Sequence, residues 1–124
     1  MDQSRHQKKS LPDEPHKIAI VAVEPALHAV LLSIEPFRAA NRLSKSPLFK
    51  FDFLSADDSP IVTTLNISIP STAKFEDATL YDVVFLHSSY EFSSDRKGPL
   101  YKWLRRQATA KALICAIDAA PLLL

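Results

Sequence analysis

ALICAIDAAPLLL, residues 112–124, decides the fold: a run of small and branched apolar side chains broken by a single carboxylate. Ala112 to Ile117 has the length and composition of a strand buried in a sheet. Asp118 interrupts it, and Ala119 to Leu124 reads as the start of a helix. The stretch therefore predicts strand, tight turn and helix, with one polar side chain at the apex. Small residues surround that apex: Ala116, Ala119 and Ala120. Many α/β enzymes carry a Ser or Cys nucleophile on an elbow of this shape. Here the apex holds Asp118, which predicts a pocket kept without the nucleophilic chemistry.

Working outward, Pro99 to Lys111 reads as a helix with proline at its start, where the missing N–H costs nothing. Leu100, Trp103, Leu104 and Gln107 or Ala108 mark its buried side, and Lys102, Arg105 and Arg106 its wet side. Ser88 to Gly98 is a polar loop, and Tyr81 to His87, YDVVFLH, a second buried strand. Pro70 to Thr79 connects it to Ile61–Ile69, a β-rich segment whose Thr and Asn suit a hairpin or edge strand. Ala56 to Pro60 is a turn. Phe49 to Ser55 alternates strictly, with Phe49, Phe51 and Phe53 on one face of a half-buried strand.

Ala26 to Leu43 has helical spacing, its stripe formed by Leu27, Val30, Leu31, Ile34 and Phe37. Pro36 lies inside that pattern; the lost hydrogen bond and ring clash, costing on the order of 3 kcal/mol, predict a kink. Lys17 to Val23, KIAIVAV, reads as a central strand buried on both faces. Residues 1–16 are polar and without a period, which predicts a disordered tail, and residues 17–124 form one domain. Arg5, Lys8 and Lys9 in the tail read as solvated charge, and His6 and His16 fall there too. His28 reads as a surface residue.

Strands alternating with helices predict an α/β three-layer sandwich around a mostly parallel sheet with right-handed crossovers. In such sheets the site lies at the carboxyl ends of the strands. Three loops would meet there, after Val23, after His87 and after Ile117.

Composition excludes several function classes. The net charge of +1 has its signs interspersed, so no basic stripe marks this segment for nucleic acid. The sequence has a single glycine, Gly98, too few for a phosphate-cradling loop. Its one cysteine, Cys115, forms no internal disulfide and fits a reducing cytoplasm. No apolar run approaches the roughly 18 residues needed to span a bilayer, and no signal-peptide core opens the chain. No His/Cys/Asp spacing suggests a metal or other cofactor.

The segment IEPFRAANRLS, Ile34 to Ser44, resembles the amidotransferase-like (PfpI-like) N-terminal domain of AraC-family transcriptional regulators. The resemblance extends over almost the whole chain from Lys17. It takes in the opening strand, FDFLSADDSPI, LHSSYE at Leu86 to Glu91, and YKWLRRQATAKALICAID. It implies a flavodoxin-like or amidotransferase-like fold, incomplete at the C-terminus. It also implies ligand sensing and dimerisation in a bacterial, cytoplasmic regulator, with DNA bound only through a C-terminal helix-turn-helix module absent from this sequence. Regulators of one branch carry Gly-aliphatic-Asp-Thr-Gly at the elbow. Here that pattern falls on Ala116 to Ala120, both glycines and the threonine having become alanine, which predicts a less permissive turn.

Asp118 has two compatible readings. It caps the helix that follows, or it faces a small cationic effector, such as a quaternary amine, with Tyr90 and Phe92 supplying aromatic faces. His87, Ser88 and Tyr90 complete the candidate ligand set. Glu35, Arg38 and Asn41 share a helical side as an interface or pocket wall, or as a solvated face with a local ion pair. Cys115 reads as a small buried hydrophobe. Two alternatives compete with a sensing domain. A PfpI-like hydrolase or amidotransferase needs Cys at the apex and an acidic partner where Ala29 stands; His87 at the end of the adjacent strand is its one available base. A degenerate fragment would leave its sheet partly uncovered.

Overall fold

The computed structural model describes residues 14–55, 59–89 and 97–123. The basic tail residues, Tyr90 and Phe92 lie outside the described residues. In order, the elements are β1 (His16–Val23), α1 (Leu27–Ser44), β2 (Phe49–Ser55), β3 (Ile61–Val62) and β4 (Ser68–Ile69). They are followed by β5 (Val83–Ser88), α2 (Lys97–Thr109), β6 (Leu113–Asp118) and a 3-10 turn, Ala120–Leu123. Four strands form one parallel sheet in the order β2-β1-β5-β6. The short β3–β4 pair is a separate antiparallel hairpin.

The period of two in β1 divides the core. Ile18 and Ile20 face α1, packing with Val30, Ile34 and Phe37 and with the Phe49, Phe51 and Phe53 row of β2. Ala19, Val21 and Val23 face the other way, onto Leu100, Trp103 and Leu104 of α2. Helices thus cover both faces, and β1 is buried on both, which is why its sequence is continuously apolar. On the edge strand β2 the Phe49, Phe51 and Phe53 row faces α1, while Leu54 on the other face joins the cluster on the α2 side.

Two local expectations change, and two details are added. His16 opens β1 instead of ending the tail: its N–H donates to the Leu48 carbonyl at 2.9 Å, and its ring lies against Phe49. Leu31 is 46% exposed and leaves the stripe of α1, whose buried edge runs through Val30, Ile34 and Phe37. α1 continues through Pro36 as one helix, with the proline on the exposed side, where water reaches the carbonyl it leaves unpaired. In α2, Gln107 is buried and Ala108 is exposed. The amide of Gln107 accepts from the Tyr81 N–H at 2.9 Å and donates to the Thr79 carbonyl at 3.0 Å. A buried amide satisfied on both ends fixes the entry to β5.

Candidate functional site

The strand order reverses between β1 and β5. After β1 the chain builds β2 on one side, then returns past β1 to add β5 and β6 on the other. The crevice outside the carboxyl ends at such a switch point is where open α/β sheets bind ligands. In register, Val23 lies beside Ser88, and Ser88 beside Asp118. The Ala119 N–H donates to the Ser88 carbonyl at 2.9 Å, closing the turn after β6 against β5.

Two residues on this rim carry left-handed backbone, Glu24 at φ 48° and Asp118 at φ 58°. Side chains other than Gly rarely hold that conformation, and Asp tolerates it better than most. The strained position of the elbow is therefore the apex itself. Ala116, Ala119 and Ala120 keep ordinary negative φ, so the loss of the flanking glycines does not distort the turn. The expected helix after the apex is the 3-10 turn Ala120–Leu123. Asp118 makes no capping hydrogen bond among the described residues; its side chain is exposed at the strand ends. Glu24 directly follows Val23, the β1 residue that lies beside Ser88 on the side away from Asp118. Its place became legible once β1 and β5 were known to be neighbours.

His87 lies beneath this rim and is fully buried, 0% exposed. Its Nε2 is 2.8 Å from the Oγ of Ser33 on α1. That hydroxyl also lies 2.8 Å from the Ala29 carbonyl and 3.1 Å from the Val30 carbonyl. A hydroxyl has one proton, and the carbonyls can only accept it, so Ser33 donates backward along its helix and accepts from the imidazole. This assigns the proton of the neutral ring to Nε2. Nδ1 is then a bare acceptor, buried and without a hydrogen-bond partner among the described residues. Burial pushes the imidazole down to about pKa 4, against the opposing pull of the Asp118 carboxylate. Ser33 was missed in the sequence, although a polar residue one turn from Val30 on a buried stripe was a visible signal.

Ser33 and His87 do not form an activated nucleophile. The serine proton is committed to its own helix, and Nδ1 is not held by a carboxylate, as an orienting third group would require. Cys115 is half-buried in β6 beside Phe85, two residues before the position facing His87. Among the described residues, no three His, Cys, Asp or Glu side chains gather to hold a metal.

The second candidate group separates. Glu35 and Arg38 form an exposed two-pronged ion pair, both contacts at 2.9 Å. Hydrogen bonding from the Arg38 guanidinium lowers the Glu35 pKa, and the same contact raises that of Arg38. Asn41 turns inward, donating to the Phe49 carbonyl and accepting from the Phe49 N–H, each at 2.9 Å. It locks α1 to the start of β2. Elsewhere, a groove of about 500 Å³ lined by Phe75, Trp103 and Arg106 shares no residue with the strand ends.

No family model matches the sequence, and no curated protein does. Solved structures do. A DJ-1 superfamily protein from Agrobacterium tumefaciens aligns with TM-score 0.56 at 19% identity, over 87% of this chain and 56% of that one. The fold is DJ-1/PfpI-like. Two further structures align with higher TM-scores. One, described as a transcriptional regulator from Vibrio parahaemolyticus, gives TM-score 0.72 at 14% identity, over 89% of this chain and 60% of that one. The other is an AraC family transcriptional regulator from Pseudomonas putida, with TM-score 0.68 at 16% identity, over 82% of this chain and 64% of that one. The chain thus spans about three fifths of the length of the two regulators. None of the helices among the described residues is long and apolar enough to cross a membrane.

Proposed function

We propose that this chain is a non-catalytic effector-sensing domain of a cytoplasmic AraC-type transcriptional regulator. The observation that carries the reading is the apex of the elbow. The position where a hydrolase or amidotransferase of this fold would present its nucleophile holds the Asp118 carboxylate in left-handed backbone. The likeness in fold to two transcriptional regulators supports the same reading. The effector is a small amine or quaternary amine. Asp118 and Glu24 bring negative charge to the rim of a switch-point crevice, and Ser88 and His87 supply polar groups beneath it. The same reading has the domain pair with a second copy of itself as a homodimer. Contact with DNA would come from a helix-turn-helix module outside the present sequence.

Isothermal titration of choline, carnitine and glycine betaine tests the reading. Binding of one of them, weakened about tenfold in Asp118→Asn, or about 1.4 kcal/mol, is the expected result. No heat from any of the three, or binding indifferent to Asp118→Asn, overturns it.

A further inference from the structure

Beyond lending a polar group beneath the rim, His87 carries a ring nitrogen with no hydrogen bond of its own among the described residues. The ring is fixed at one end by Ser33 and buried, yet its Nδ1 has no partner among the described residues. Leaving a buried acceptor unpaired is costly, and a domain that keeps one holds it against that penalty. Its location is specific. His87 is the penultimate residue of β5, directly before Ser88, and Ser88 is flanked by the ends of β1 and β6. The Asp118 carboxylate is close enough to act on the ring electrostatically. The carboxylate and the buried ring thus lie at the same end of neighbouring strands, Asp118 beside Ser88 and His87 one residue before it. Together they match a group that brings a positive charge and a proton to donate.

We propose that Nδ1 of His87 is an effector-recognising acceptor, so that the effector carries an N–H or O–H donor next to its positive charge. The class is a protonated primary or secondary amine, or a hydroxylated amine. A fully methylated ammonium without a hydroxyl offers charge and no donor, and leaves Nδ1 unpaired. Sites built to hydrogen-bond a ligand group discriminate strongly against analogues that lack it, for that reason. The inference rests on the cationic-effector reading above and narrows it.

Long-range proton–nitrogen spectra of the nitrogen-labelled chain test it, with the readout taken on the unsubstituted protein. The sequence has four histidines, so the His87 signals are assignable by comparison with His87→Gln. In the free protein the proton is expected on Nε2. Methylammonium and choline should shift the Nδ1 resonance and bind about tenfold or more tightly than tetramethylammonium, a difference of about 1.4 kcal/mol. A proton found on Nδ1 in the free protein overturns the proposal. Equal binding of tetramethylammonium with Nδ1 unmoved also overturns it, while leaving the cationic-effector reading intact. If none of the three cations moves the Ser88 or Asp118 amide resonances, both fail together.

Discussion

At the scale of single residues, the chemistry concentrates in side chains that the backbone holds under constraint. Asp118 keeps the apex conformation of a nucleophile elbow without a nucleophile. His87 is kept neutral by burial, and this has a consequence for stability. Its folded pKa of about 4 lies below the ordinary 6.5, so between those values the unfolded chain binds the proton and the folded chain does not. Stability from this group is complete above about pH 6.5 and is lost as pH falls toward 4, on the order of 3 kcal/mol across the window. Asp118, which favours the charged ring, softens the loss. Urea unfolding at pH 7, 6 and 5 should show a falling midpoint for the wild type. His87→Gln should start lower at pH 7 and lose less over the same interval; parallel curves for the two would contradict the assignment.

At the scale of elements, α1 shows how tertiary packing overrides local preference. Its exposed face carries Pro36 and the Glu35–Arg38 pair, while its inner face is anchored by Val30, Ser33, Phe37 and Asn41. The helix survives an internal proline because these contacts on both sides of it hold the axis. Pro36→Ala restores the N–H donor toward the Leu32 carbonyl. It is expected to raise stability by about 1–3 kcal/mol, measured by urea denaturation; a loss of stability would mean that the proline sets a packing angle the core needs. Asn41 has the opposite character. Its two bonds to Phe49 make it a clamp between helix and sheet, and sequence spacing alone had grouped it with the exposed pair. An i, i+3, i+6 spacing turns 600° about the helix axis, so its third member sits well around from the first.

At the scale of the molecule, β6 is an edge of the four-stranded sheet. Its first residue, Leu113, is 63% exposed, and the residues between it and Asp118 are only half-buried. An apolar edge strand is a template for pairing with another chain. This sequence should therefore self-associate with rising concentration in sedimentation velocity, and Leu113→Lys should reduce that association while leaving the fold intact. Association unchanged by the substitution would place the contact elsewhere.

The sequence by itself determined the order of strands and helices, the parallel sheet and the apex at Asp118. These features are local: a continuous apolar run reports burial on two faces, alternation reports burial on one, and a lone carboxylate between such runs marks a break. It also brought His87, Ser88 and Asp118 toward one end of the sheet, because adjacent parallel strands end together. Only the tertiary structure decided that Val23, and with it the start of the turn at Glu24, lies beside Ser88 on its other side, that Leu31 is exposed, and that Ser33 meets His87 across 54 residues. The direction of the Ser33 proton, and with it the bare acceptor on His87, follows from three groups contributed by two elements. No spacing along one chain segment encodes that relation, since it exists only once α1 has packed on the sheet.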